Sequence, residues 1–424
     1  SIMSYIKNVI IRNFSILRVE GESAGEVIAS LGDNITTVLS IDYYESIFEP
    51  TIAFELLFVS IDNALSDATL RGTERANIEI DHQSGPLTFE NLVVTSFVQN
   101  QSESTANTFV VRLEPIQTIL NQKNRLVKRY DPKVKASSHV ETILTTQLEC
   151  DKDEIDVEET ANNDGFFGNY WTPFRGIYWL ARRAVSASMP EDGGGTDRVG
   201  FLFWMTQDGY KFKSIDTMIS DAKKNGALEY TQNDSISNNP NYDLYNPKWE
   251  HDQSIIDRMI SSDLGEKKSY FNLHTLYNTP EISFSKKEAK QAHLGDDEMP
   301  ILKEDLNEDP TRVTRVPILD YTMRRDGTYN EGDGEYQPHK VRSQARMRYA
   351  SLLSSSLRIT VPLQTQIQAG DIISCKLIDS MKGTDKWLSG FFLIKDLRHT
   401  IHFTKSGVEC YTYLRLVRDT PGYD

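Results

Sequence analysis

His399 and His402 are the nearest pair of histidines in this 424-residue chain. The first chemistry such a pair could do is to share a metal ion. That needs convergent imidazoles, and on a strand a spacing of three sends the two rings to opposite faces. No cysteine or third histidine lies near enough in sequence to complete a ligand set. Carboxylates are the next candidates. The runs Asp151 to Glu159 and Asp296-Asp297-Glu298 are dense enough to attract cations. Asp326-x-Thr328-x-Asn330-x-Gly332 follows part of a calcium loop but lacks the acidic residue that should end it. Solvated loops are the expectation for all three. Sugar cleavage needs two carboxylates at a set separation in space, which abundance alone does not supply. There is no phosphate-binding loop, no His-Glu-x-x-His pattern and no nucleophile elbow. Lys123 to Lys135 gathers Arg125, Lys128, Arg129 and Lys133, but acidic sequence follows, so a nucleic-acid platform is not expected. The expected catalytic, cofactor-binding and metal-ligating sets are therefore empty, and the chain reads as a non-enzyme.

Composition points the same way. The formal charge is -15, with 61 acidic and 46 basic side chains. Such a chain repels DNA and anionic membranes, and it suits a basic protein partner or simple solubility. Cys150, Cys375 and Cys410 form no paired framework. The last two sit in apolar runs and read as buried small hydrophobes, as expected for assembly in a reducing cytosol. No secretory leader is expected. The apolar run Ile52 to Val59 carries Glu55 and is too short to span a bilayer, so membrane insertion is not expected.

The elements that would position any site are mostly strands. Residues 1–115 hold strand-like runs at Val9–Val19, Asn34–Ile41, Ile52–Val59, Ala76–Ile80, Leu87–Val98 and Phe109–Leu113. The turns Leu31-Gly32-Asp33, Arg71-Gly72-Thr73 and Gln83-Ser84-Gly85-Pro86 divide them. Thr73 to Asp81 alternates, with Ala76, Ile78 and Ile80 on one face and Asn77, Glu79 and Asp81 on a wet face. The period then becomes helical. Ser138 and Glu141 make a capping box, and Val140, Ile143, Leu144 and Leu148 share a face. Thr172-Pro173 opens a helix expected to reach Ser188. Its stripe of Phe174, Ile177, Tyr178, Ala181 and Val185 should be buried. After a Gly193-Gly194-Gly195 loop, Phe201–Met205 and Tyr210–Phe212 form a hairpin around Asp208-Gly209, and a short helix is expected over Ser214–Ser220. Segments 285–306 and 324–334 read as exposed and charged. Val341 to Leu357 is expected to be helical, with Ala345, Tyr349, Leu352 and Leu353 inward and Arg342, Arg346 and Arg348 outward. Three strands, from Gly370 to Arg418, close the chain. The fold class is mainly β with helical insertions (β+α).

Laid out in this order, the chain resembles the central baseplate hub proteins of contractile-tailed bacteriophages. That group is related to phage late control protein D and to the base of type VI secretion spike proteins. The resemblance is carried by TFVVRLEPIQTILNQKNR (Thr108 to Arg125), by WTPFRGIYWLARRAV with FLFWMTQDGYKFKSIDTMI (Trp171 to Ile219), and by ARMRYASLL (Ala345 to Leu353) with AGDIISCKLIDS and WLSGFFLIKDLRHTIHF. Residues 227–340 fit it poorly.

The resemblance implies two similar antiparallel barrel-like domains. The first would be residues 1–127 and the second 198–230 with 355–424. A helical insertion would occupy 128–197, and a mixed region 231–354 would carry a helix at 341–354. It also implies a homotrimer that adapts a hexameric tail tube, or its initiator, to a trimeric spike. Other baseplate proteins and the tape measure protein would be neighbours, and DNA would pass through an axial channel without specific binding. The wet face of Thr73 to Asp81, with Asn77, Glu79 and Asp81, would face either that channel or bulk solvent. The implied location is the virion tail, assembled in the host cytoplasm. A tail-associated cell-wall hydrolase and a carbohydrate- or receptor-binding module are the alternatives.

Overall fold

The computed structural model of the chain describes residues 9–19, 24–25, 27–30, 36–60, 74–101, 107–188, 198–233, 240–251, 256, 260, 265–272, 282–285, 292–295, 312–318, 338–378, 383–405 and 407–420. The expected turns at 31–33 and 71–73, the triple-glycine loop, Asp296-Asp297-Glu298, the 324–334 loop with its partial calcium pattern, and most of 285–306 lie outside the described residues.

The N-terminal β unit contains β1 (Ile10–Arg18), β2 (Val27–Ser30), β3 (Thr36–Ser46), β4 (Ala53–Ser60), β5 (Glu74–Asp81), β6 (Leu87–Gln101) and β7 (Asn107–Glu114). They lie in the order β2-β1-β5-β6-β7-β4-β3, antiparallel throughout. Strict alternation drives this arrangement, because every second residue of β5 is buried. Three helices and two small sheets follow. They involve α1 (Gln117–Lys123), β8 (Arg129–Tyr130), α2 (Ala136–Gln147), β9 (Ile155–Val157), β10 (Phe166–Phe167), α3 (Pro173–Ala181), β11 (Phe201–Thr206) and β12 (Gly209–Ser214). Here β8 pairs with β10, and the hairpin β11-β12 pairs with β9 rather than with the large sheet.

The C-terminal β unit contains β13 (Leu228–Gln232), β14 (Asp243–His251), β18 (Ser355–Pro362), β19 (Ile372–Lys376), β20 (Gly390–Thr404) and β21 (Gly407–Arg418). β19 pairs with both β13 and β20, so these strands close into a barrel in the order β19-β13-β14-β18-β21-β20. β13 departs from antiparallel pairing and runs parallel to both of its neighbours. β20 is long enough to serve two roles. Its first residues pair with β19, and after a register shift at Ile394/Asp396 the stretch Asp396–His402 pairs with β3. That second pairing fuses both units into one sheet of thirteen strands among the described residues. A hydrophobic core runs continuously through both, from Phe14 and Phe58 to Leu397 and Leu416. A separate three-stranded sheet, β15 (Gly265–Asn272), β16 (Ile282–Ser285) and β17 (Arg312–Ile318), precedes α5 (Pro338–Leu352), and α4 (Ile215–Asn225) follows the hairpin.

Several local expectations change. Ser138 does not cap α2, which already begins at Ala136. Its first turn is capped from outside, where the Ser137 N–H donates to Thr160 Oγ1 at 3.0 Å. Helix α3 has the expected Thr172 cap and Pro173 start but ends at Ala181, not Ser188. Beyond it the backbone finds extended partners: Ala161 N–H donates to Val185 O, and Ala187 N–H to Glu159 O. The hairpin turn is centred on Gln207 and Asp208, neither with positive φ, and Gly209 takes the left-handed position after them at φ 104°. Helix α5 stops at Leu352 because Ser355 already enters β18, which leaves Leu353 38% exposed. Arg348, expected outside, is fully buried.

Candidate functional site

The geometry gathers polar chemistry at the seam between the two β units. Glu45 lies on the inward face of β3, in step with Ile41 and Tyr43. Its carboxylate accepts from Tyr43 OH at 2.5 Å, from Gln207 N–H at 3.0 Å and from Ala369 N–H at 2.7 Å. One side chain thus ties β3 to the hairpin turn and to the loop before β19. Burial pushes Glu45 up to about 7, against those hydrogen bonds. Burial likewise raises Asp371 to about 6, with Asp208 as a like-charged neighbour. Tyr43 stacks on His399 at 5.7 Å across the β3-β20 pairing. His399 Nδ1 is 2.8 Å from Thr412 Oγ1, and burial lowers the imidazole to about 3. It is held neutral as a core residue, while His402 is exposed on the other face.

A second buried group fastens the shell outside the barrel. Arg348 on α5 donates to Asp419 at 2.7 Å and to Asp216, in the first turn of α4, at 3.2 Å. Its guanidinium also donates to Ala292 O. The short stretch 292–295 is gripped from both sides: Ala292 N–H donates to Asp216, Leu294 N–H to Asp419 and Gly295 N–H to Thr420 Oγ1. Burial would raise Asp419, but the hydrogen bond from His293 and the Arg348 charge hold it well below the usual carboxylate range.

The residues singled out from sequence fall elsewhere. Asn77, Glu79 and Asp81 do share the half-buried face of β5. Asn77 Oδ1 accepts from Asn91 N–H, and Asp81 is paired with Arg12, so the face is not a bare acidic surface. Phe174, Ile177 and Ala181 are buried in the helical core, with Tyr178 packed beside them and its hydroxyl on Phe48 O at 3.3 Å. Val185 is buried in another cluster, with Val199, Val341 and Ala345. Lys123, Arg125, Lys128, Arg129 and Lys133 are exposed, as are Asp151, Asp153 and Glu154. The three cysteines are free and buried. Among the described residues no cluster of His, Cys, Asp or Glu could hold a metal ion, and no helix is long and apolar enough to cross a membrane. What this arrangement does chemically is bind segments of chain together.

Glu45 and Arg348 were missed by sequence reasoning, yet both left a signal. Each is a polar residue at an inward position of an apolar period: Ile41-Tyr43-Glu45 on a strand, and Val341-Ala345-Arg348-Leu352 on a helix.

Seen whole, this mainly β chain with helical insertions has the fold of phage tail proteins. It matches the tail protein from Neisseria meningitidis MC58 with a TM-score of 0.53 at 12% identity, covering 96% of each chain. The 43 kDa tail protein of prophage MuSo2 from Shewanella oneidensis gives 0.52 at 12% identity, over 97% of this chain and 100% of that one. A chain of the Francisella PdpA-VgrG complex gives 0.50 at 10% identity, over 98% of this chain and 53% of that chain. In sequence alone no family model matches, and no curated protein matches.

Proposed function

We propose that this chain is the structural hub of a contractile phage-tail baseplate: a homotrimeric ring that joins a hexameric tail tube to a trimeric spike and leaves an axial channel for DNA. The observation that carries the reading is end-to-end likeness to two tail proteins, over 96% or more of both partners in each comparison. The fused sheet supports it. Two β units in each of three chains offer six β units to a six-fold tube, so one kind of contact can be repeated around the ring. In this reading the first β domain is residues 1–127, the second is 198–230 with 355–424, and 128–197 and 231–354 are insertions. The chain is not an enzyme, and it works in the virion after assembly in the host cytoplasm. Its neighbours are the tube or its initiator, the spike, other baseplate proteins and the tape measure protein. Asn77, Glu79 and Asp81 line the channel as a polar face, where Arg12 and Arg75 balance the two carboxylates and no net positive charge draws a polyanion to adsorb. The test is to locate an epitope tag at the C-terminus on intact tails by electron microscopy. Label at the junction of tube and spike is expected. Label on the tail fibres or along the tube would overturn the proposal.

A further inference from the structure

We infer that an exposed tip on the helical insertion, made by Lys128, Arg129, Phe167 and Tyr170, docks onto the acidic turn Asp151–Glu154 of a second copy of this chain. The inference deepens the trimeric reading above and rests on it.

The tip is built to present apolar surface. Phe167 is 62% exposed, Tyr170 76% and Val127 67%. Two of them flank Gly168-Asn169, in a loop held by backbone bonds on both sides. Leu126 N–H donates to Trp171 O at 2.8 Å, Tyr170 N–H to Leu126 O at 3.0 Å, Trp171 N–H to Gly168 O at 2.9 Å and Gly168 N–H to Lys128 O at 3.1 Å. Only glycine fits at 168, where a Cβ would lie 2.0 Å from Leu126 O. Asn169 and Tyr170 both sit in the left-handed region, at φ 49° and 56°. Asparagine tolerates that conformation, whereas a bulky aromatic residue rarely adopts it. Among the described residues the Tyr170 ring gains no ring contact or hydrogen bond in return. The loop therefore holds a tyrosine with a strained backbone out into solvent.

What lies behind and beside the tip resembles the centre of a binding surface. Tyr130 stacks on Phe166 at 4.3 Å, and Trp171 and Trp179 pack against Phe166 in turn. Cations sit over this aromatic base: Lys128 over Tyr130 at 5.1 Å, Arg129 over Phe167 at 5.8 Å and Arg175 over Trp171 at 5.1 Å. Lys128, Arg129 and Arg175 are exposed and make no ion pair among the described residues. Rigid aromatics with arginine are the residue types that dominate interface energetics, and adjacent exposed apolar side chains of this size mark contact sites.

Charge identifies the occupant. The whole chain carries -15, so a basic tip is complementary to the average surface of another copy. A specific acceptor lies on the same insertion. Asp151, Asp153 and Glu154 are exposed on a short turn closed by Glu154 N–H to Asp151 O at 3.1 Å, and they make no ion pair among the described residues. Tip to acidic turn is a head-to-tail contact, which leaves one of each free on a pair of copies and closes only in a ring.

The test is sedimentation of the wild type, of Phe167→Ser/Tyr170→Ser, of Lys128→Glu/Arg129→Glu, and of that last variant combined with Asp151→Lys/Asp153→Lys/Glu154→Lys. Thermal melts report whether each variant is folded. The wild type is expected as a trimer that weakens in about 0.5 M salt. Both tip variants should dissociate at least roughly tenfold more readily with unchanged melting, and the combined charge swap should recover the trimer. Tip variants that remain trimeric would overturn the docking site and leave the hub reading standing. Dissociation without rescue by the swap would overturn the acidic acceptor. A wild type that stays monomeric at every concentration, both alone and with a co-expressed spike protein, would overturn both this inference and the trimeric reading.

Discussion

The two β units solve the problem of sheet edges differently. The C-terminal unit uses up its edges: β19 bonds to β13 on one side and β20 on the other, and the six strands close. The N-terminal unit spends one outer strand, β3, on the junction with β20, and its opposite end is the four-residue β2, paired only to β1 among the described residues. Closure depends on inserting β13 parallel to its neighbours and on the shift that lets one long strand, β20, serve both barrel and seam. The difference teaches that, among the described residues, the C-terminal unit presents faces and loops, whereas the N-terminal unit ends on the short strand β2. It also explains where the buried polar groups sit. Glu45 lies at the seam, and Arg348 fastens the shell around the closed barrel.

The comparison is best broken at Arg348. Arg348→Ala leaves Asp419 and Asp216 without their cation in a fully buried site and should cost about 3–5 kcal/mol in urea denaturation. Hydrogen exchange should show the loss first in α4, α5 and the end of β21, with β4–β7 retaining protection. Equal loss in β4–β7 would mean that the two units melt as one body.

A slightly smaller effect is expected at the helical insertion. Ile177 is fully buried, so Ile177→Asp places an unpaired charge in an apolar core and should cost on the order of 3 kcal/mol. Unchanged melting would show that the insertion contributes nothing to the stability of the body.

The seam is titratable, which sharpens the contrast. Glu45 is raised from 4.5 to about 7 and Asp371 from 3.8 to about 6, so the folded state binds protons that the unfolded chain releases. Their contribution is fully present below the ordinary carboxylate range and is lost as pH rises through about 6 and then about 7. Asp419 has the opposite sign, because its contribution is present above 3.8 and lost as pH falls further. These three groups together therefore place the stability maximum near about pH 4. Glu45→Gln should flatten the decline between mildly acidic and mildly basic pH by roughly 2 kcal/mol. A decline as steep as in the wild type would remove Glu45 from the account.

Much of this fold was legible in the chain. Alternation located β5, the Thr172-Pro173 pair located the start of α3, and Asp208-Gly209 located the hairpin, because each signal is local. Non-local partners were not legible. The end of α3 is set by backbone pairing of 185–187 with 159–161, and the cap of α2 comes from Thr160, more than twenty residues from Ser137. Nor does sequence spacing reveal that β20 reaches back to β3 across some 350 residues. Glu45 at the seam and Arg348 in the shell outside the barrel both occupy inward positions of an apolar period, yet Arg348 was expected outward, because a polar residue on an apolar face acquires meaning only when its partners are known. Gln207, Ala369, Asp216 and Asp419 come from remote parts of the chain.

Assembly of this chain as the hub is read out most directly by native mass measurement of the purified protein, alone and with a co-expressed spike protein. Three copies of the 48.3 kDa chain are predicted in the particle. A stable monomer under both conditions would contradict hub assembly.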